Sequence, residues 1–118
     1  MTAPNDALLE ALKLLRIEYL KDAPQRVAEL RSLLAGAERG EGGALDELRR
    51  ALHKLAGSGG SYGYPELSAR SRAGEVEAQR LLDTHAPVSA SALGTLRVMV
   101  EGVAAAFAAA ADGSVEPQ

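Results

Sequence analysis

His53 is the side chain in this sequence whose type and surroundings best suit nucleophilic chemistry. It stands in "LHKLAGSGGSYGYPEL", residues 52–67, a leucine-spaced stretch that loses its side chains one turn later. A neutral imidazole nitrogen is a competent nucleophile near neutral pH. Leu45, Leu48, Leu52, Leu55 and Gly59 recur at alternating spacings of three and four and so define one seam of a helix. At about 100° per residue, His53 points roughly 130° away from the centre of that seam, towards solvent. Asp46, Arg49, Arg50, Gly57 and Gly60 fall within about 60° of it. The surface is thus basic one turn before the ring and bare one turn after it. An interior glycine costs a helix about 1 kcal/mol relative to alanine, so Gly57, Gly59 and Gly60 together give up about 3 kcal/mol of propensity. Close helix packing accounts for Gly59, which lies on the seam. Gly57 and Gly60 face outward, where their missing side chains leave room for another body to approach the ring.

Other chemistries fit less well. Gly59-Gly60-Ser61-Tyr62-Gly63 matches the G-x-S-x-G nucleophile elbow, but that motif needs a strand entering the turn and a large sheet behind it, so a hydrolase built on Ser61 is not expected. The same glycines are not followed by Lys-Ser or Lys-Thr, as a phosphate-binding loop requires. The two histidines are far apart and form no His-x-x-x-His or His-Glu cluster, so no metal site is expected. His85, in the loop "THAP", has no comparable surroundings and reads as incidental.

The elements that must carry His53 are helices. Hydrophobic residues make up 47% of the 118 and aromatic residues only 3%, which calls for a leucine- and alanine-built, all-α core in a single domain covering 1–118. Leu8, Leu12, Leu15 and Tyr19 place a first helix over Asn5 to Leu20. Asp22 as N-cap, Pro24 in the first turn and the face Val27, Leu30, Leu33 and Leu34 place a second, ended at Gly36 or by Gly40 to Gly43. The third starts near Gly43 and carries His53. Tyr64-Pro65-Glu66 opens a fourth, with Leu67, Val76, Leu81 and Leu82 as its apolar positions. "THAPVSAS" is a loop, and Leu93, Leu96, Val100, Val103 and Phe107 mark the last helix. No strand-like alternation competes. The expected architecture is an antiparallel four-helix bundle with an additional N-terminal helix, its ends at about 1–5 and 112–118 flexible.

Charge and composition narrow the partners. A formal net charge of −3 offers no general attraction to phosphate backbones, so nucleic acid is not an expected partner. The absence of cysteine removes disulfides, thiolate metal sites and a cysteine nucleophile. The acidic start and the short apolar run "VAAAFAAAA" fit neither a signal peptide nor a membrane span, so a soluble cytoplasmic protein is expected.

These residues resemble the histidine-containing phosphotransfer (HPt) domains of bacterial phosphorelays, of the stand-alone type. The family pattern has a histidine, an aliphatic residue two later, a glycine four later, small residues, then an aromatic or aliphatic residue and a glycine nine and ten later, and a leucine in the next helix. Here these are His53, Leu55, Gly57, Ser58 to Ser61, Tyr62, Gly63 and Leu67. "YLKDAPQRVAELRSLL" is similar to the lead-in of such domains. The resemblance implies that His53 takes a phosphoryl group from a receiver-domain aspartate, or from a partner kinase, and passes it to a response regulator in two-component signalling. It implies receiver domains and a sensor histidine kinase as partners and a monomeric domain without kinase or hydrolase activity. No cofactor is implied here, since the divalent metal belongs to the receiver. Arg49, Arg50, Lys54, Ala56, Gly57 and Gly60 would form the docking face. Many members carry lysine three residues after the histidine, where this chain has Ala56, and Arg49 or Arg50 would have to supply that charge. Glu75, after Gly74 where the family often has leucine, fits an acid that in chemotaxis-kinase members holds the other ring nitrogen. The alternative is a helical adaptor or dimerisation module that keeps the fold and binds partners without phosphotransfer.

Overall fold

The computed structural model describes residues 4–118 and contains five helices: α1 (Pro4–Lys21), α2 (Ala23–Glu38), α3 (Ala44–Ser61), α4 (Pro65–Asp83) and α5 (Ala90–Ala111). Residues 1–3, part of the expected flexible start, lie outside the described residues. No strand occurs among the described residues. Helix α2 lies against α3 and α5, and α4 against the same two, which closes a four-membered ring of antiparallel neighbours. Leu30 and Leu34 of α2, Leu48 and Leu52 of α3, Leu67 of α4, and Leu96, Val100, Val103 and Phe107 of α5 are buried at the centre of this ring.

Helices α1 and α2 form one bent rod. Asp22 between them keeps a helical backbone (φ −85°, ψ −2°), its side chain makes no capping bond, and its carbonyl accepts Arg26 N–H at 3.0 Å. Pro24 has no N–H to give and bends the rod without stopping it. The predicted N-terminal helix is therefore the first half of the bundle's first helix. Leu8 and Leu15, expected on a buried face, are exposed because α1 runs on beyond the bundle, where no element covers them. Of its apolar seam only Tyr19 is buried.

Helix α4 corrects the reading more instructively. Val76 is 61% exposed, and the inward face is Leu67, Ser71, Gly74, Ala78 and Leu81, spaced four, three, four and three. The seam is regular, but its middle three positions are small and escape a search for large apolar side chains. Small residues let helices approach closely: a Cβ built on Gly74 would lie 3.1 Å from Leu52 Cδ1, and one on Gly59 would lie 3.2 Å from both Leu67 Cγ and the Ser68 backbone nitrogen. Helices α3 and α4 consequently pack backbone to backbone along the length that carries His53.

Helix α5 has 22 residues and a mean hydropathy of 1.5, and by length and composition alone it is apolar enough to cross a membrane. In the bundle it is one of the four ring helices, and it buries one face, Leu96, Val100, Val103, Phe107 and Ala110. Its outer face carries Glu101, paired with Arg31 through two bonds of 2.7 and 2.9 Å, and Arg97, paired with Glu38. The hydrogen bond from Arg31 holds the Glu101 carboxyl below the usual carboxylate range. The C-terminal residues run back to the end of α3, where Gln118 N–H bonds Gly63 O at 2.8 Å.

Candidate functional site

The site is built on the exposed flank of the α3–α4 pair. His53 lies in the middle of α3 with its side chain 63% exposed, pointing away from Leu48, Leu52 and Leu55. Across the seam, Glu75 of α4 places Oε1 2.7 Å from His53 Nδ1. The close approach at Gly74 and Leu52 brings the two helices near enough for this contact. An ionised carboxylate can only accept, so Nδ1 is the donor and carries the proton. The other ring nitrogen, Nε2, is left with its lone pair.

Glu75 is itself only 15% exposed. Its second oxygen, Oε2, is buried without a hydrogen-bond partner, and Arg72 Nη1 stands 3.7 Å from it, within ion-pair range but too far for a hydrogen bond. Among the described residues the guanidinium of Arg72 and the His53 ring are the basic groups within 4.0 Å of this carboxylate. Arg72 also lines a hollow with Gly60, Gly63 and Ser68, which places it on the histidine side of the hairpin. Sequence reading missed Arg72. Its i, i+3 spacing from Glu75 was visible, but its place beside α3 depends on the register of the two helices.

The remaining residues of the expected docking face divide into three groups. Gly57 meets nothing within 4 Å of a built Cβ, and a Cβ at Gly60 would touch only Ser68 at 3.4 Å, so internal packing demands neither glycine. Arg49 and Arg50 both pair with Asp46 at 2.9 Å and are not free charges beside the ring. Arg50 and Lys54 line a groove of about 290 Å³ between α2 and α3, on the flank opposite Glu75. Ala56 corrects the expectation. It is 2% exposed, on the core side of α3, so its side chain cannot belong to a docking surface, and its carbonyl accepts Ser68 Oγ at 2.5 Å. His85 is exposed in the α4–α5 loop, away from these residues. Among the described residues no group of three or more histidine, cysteine or carboxylate side chains is gathered as a metal site would require.

The end of α3 is fixed by a turn that needs glycine. Tyr64 N–H bonds Gly59 O at 2.8 Å and Gly63 N–H bonds Gly60 O at 3.1 Å, the paired closure of a Schellman motif, with Gly63 at φ +88°. Tyr62, the capping residue, stacks on Tyr19 with ring centroids 4.4 Å apart. Leu55, Gly59 and Leu67 are buried at the seam. The G-x-S-x-G match at Gly59 to Gly63 is this helix end, with Ser61 exposed as the last helical residue.

The geometry is that of a lone oriented imidazole on a convex helical surface, with one nitrogen held by a carboxylate and the other free. A family model, the Hpt domain, matches residues 14–106, and this chain belongs to that family. Its members act in phosphotransfer in two-component signalling, with receiver domains and kinases as the general class of partner. No curated protein and no solved structure matches the chain.

Proposed function

We propose that the protein is a phosphorelay intermediate in which His53 Nε2 is the phosphoryl acceptor and donor. The observation that carries this is the 2.7 Å contact between His53 Nδ1 and Glu75, which commits the proton to one nitrogen and presents the other to solvent. In the forward step the Nε2 lone pair attacks the phosphorus of a receiver's aspartyl phosphate. A P–N bond forms, the P–O bond to the aspartyl carboxylate breaks, and that carboxylate leaves with the electron pair. As the ring becomes positive, the Glu75 carboxylate stabilises it and can take the Nδ1 proton. The reverse sequence passes the group to the aspartate of a response regulator.

The divalent ion that neutralises the phosphoryl oxygens is supplied by the receiver, so this chain works without a cofactor of its own. Gly57 and Gly60 form the bare approach to the ring, Arg50 and Lys54 are cations on its α2 side, and Arg72 is the cation on its α4 side. Arg72 takes the place of the lysine that the position of Ala56 lacks. On the same reading the protein works in the cytoplasm, between a sensor histidine kinase and a response regulator.

The test is transfer from a phosphorylated receiver domain. An acid-labile, base-stable label on the wild-type chain is expected, and none on His53→Gln, whose core is untouched and whose helical spectrum should match the wild type. Equal labelling of the two proteins would refute the assignment and favour an adaptor, which has no need of His53.

A further inference from the structure

Residues 112–118, expected to fray, turn back on α5 instead. Ser114 N–H bonds Asp112 Oδ1 at 2.8 Å, Gly113 takes φ +81°, and Val115 N–H bonds Ala109 O at 3.2 Å. Val115 then covers part of an apolar hollow of about 210 Å³ between α4 and α5, lined by Tyr64, Leu67, Ala105 and Ala109, and stays 38% exposed. Gln118 crosses to the turn between α3 and α4. There its N–H bonds Gly63 O at 2.8 Å, and its carbonyl accepts Arg16 Nη2 at 3.2 Å.

The end of this strap lies beside the histidine face. Gln118 shares a second hollow, of about 320 Å³, with Gly60, Gly63, Ser68 and Arg72. Gly60 is about 10 Å from His53 along α3, and Arg72 stands 3.7 Å from the carboxylate that holds the ring. A transient partner that buries about 600 Å² on each side covers a disc of radius about 14 Å. Centred on His53, that disc takes in Gly60 and so meets Gln118. Charge decides what happens to the strap when it does. Residues 112–118 hold two acids, Asp112 and Glu116, and no base. A receiver offers an aspartate and the carboxylates that hold its divalent ion, an acidic surface that the strap repels. The hollow under the strap carries Arg72, which attracts the same surface once it is uncovered.

We infer that residues 112–118 are an autoinhibitory strap, closed over the Gly60–Arg72 hollow in the free protein and displaced when a receiver domain docks. This rests on the phosphotransfer reading of His53. A strap closed for about nine-tenths of the time weakens the apparent affinity for the receiver about tenfold.

Transfer to the full chain from a phosphorylated receiver domain, measured against receiver concentration, tests it. Val115→Asn, which puts an amide into the apolar hollow and frees the strap, should lower the half-saturating concentration about three- to tenfold at unchanged maximal rate. Val115→Leu, which fills more of the hollow and holds the strap, should raise it. The Gln118 amide NMR signal of the wild type should move, on receiver binding, to the position it has in free Val115→Asn. Equal half-saturating concentrations in the three proteins, slower transfer to Val115→Asn, or a Gln118 signal that stays put in the complex overturns the strap and leaves His53 as acceptor. A wild type that takes no label overturns the phosphotransfer reading and the strap with it.

Discussion

Replacing Glu75 with alanine deletes the acceptor 2.7 Å from His53 Nδ1 and leaves the fold's core untouched, because the carboxylate lies on the flank of the α3–α4 seam. A hydrogen bond to a charged group contributes about 1.5–3 kcal/mol. Here the ring is 63% exposed while the carboxylate is 15% exposed, so water competes for the histidine and the lower end of that range, about 1.5 kcal/mol, applies. Only the part of this that grows as the ring becomes positive speeds the transfer. A loss of about 1.4 kcal/mol in the transition state is tenfold in rate. Glu75→Ala should therefore slow formation of phosphohistidine by up to about tenfold, and by at least about threefold, without abolishing it. Glu75→Gln keeps a neutral acceptor for Nδ1–H and should fall between alanine and wild type. Arg72 loses its carboxylate neighbour in either variant and becomes free to approach the phosphoryl group. A cycle with Arg72→Ala separates that gain from the loss at the ring. The assay is single-turnover transfer from a phosphorylated receiver domain, paired with ring-nitrogen NMR that reads the tautomer directly. A rate within twofold of wild type together with an unchanged tautomer would refute the orienting role.

Two further outcomes follow from the glycines. Gly57→Gln should stabilise α3 by up to about 1 kcal/mol through helix propensity, since its Cβ meets nothing, yet slow transfer by occupying the approach to His53; a thermal melt and a transfer assay should thus move in opposite directions. Gly63→Ala should cost at least about 1–2 kcal/mol, because φ is +88° and a Cβ there would also meet the Gln118 backbone and Arg16 Nη2, and this should appear as a lower midpoint in urea at unchanged slope.

What was legible in the sequence depended on which physical quantity carried the information. The outward direction of His53, the packed position of Gly59 and the bare one of Gly57 all follow from helix periodicity, because they concern one helix and its own angles. Periodicity failed where the answer lay on a second helix. The inward face of α4 is Ser71, Gly74 and Ala78, too small to register as a hydrophobic seam, and Val76 was chosen in their place. Ala56 belongs to the expected docking face through the position that often holds lysine in the family, yet it lies about 60° round the helix from His53 on the side of the Leu52 and Leu55 seam, where it is buried. Arg72 was missed because its neighbourhood is set by how α4 lies along α3. Helix α1 shows the converse case. The apolar face of α1 was read correctly as apolar, but the pattern says nothing about which body covers it.

The glycine-rich end of α3 poses the last physical question, since Gly57 and Gly60 together cost the helix about 2 kcal/mol of propensity without any return from packing. Three side chains from other helices tie this short stretch. Tyr19 Oη of α1 and Ser58 Oγ are 2.7 Å apart, Ser68 Oγ of α4 donates to Ala56 O at 2.5 Å, and Arg16 Nε of α1 donates to Tyr62 O at 2.8 Å. At about 0.5–1.5 kcal/mol net for each bond, their sum is of the size of the glycine cost. The polar ties hold the helix where helix propensity does not, and His53 keeps an open surface beside it. Tyr19→Phe removes one tie while keeping the stacked ring, so amide exchange from Ser58 to Tyr62 should accelerate about fivefold while that of Leu48 and Leu52 stays put. Burial raises the Tyr19 hydroxyl above its ordinary 10.0, partly opposed by the bond to Ser58. Its folded value thus exceeds its unfolded one, and the stability tied to the neutral phenol is complete below pH 10 and lost as pH rises through the folded value. Tyr19→Phe should flatten that alkaline loss; equal alkaline slopes and equal exchange in the two proteins would show that α1 does not brace the end of the histidine helix.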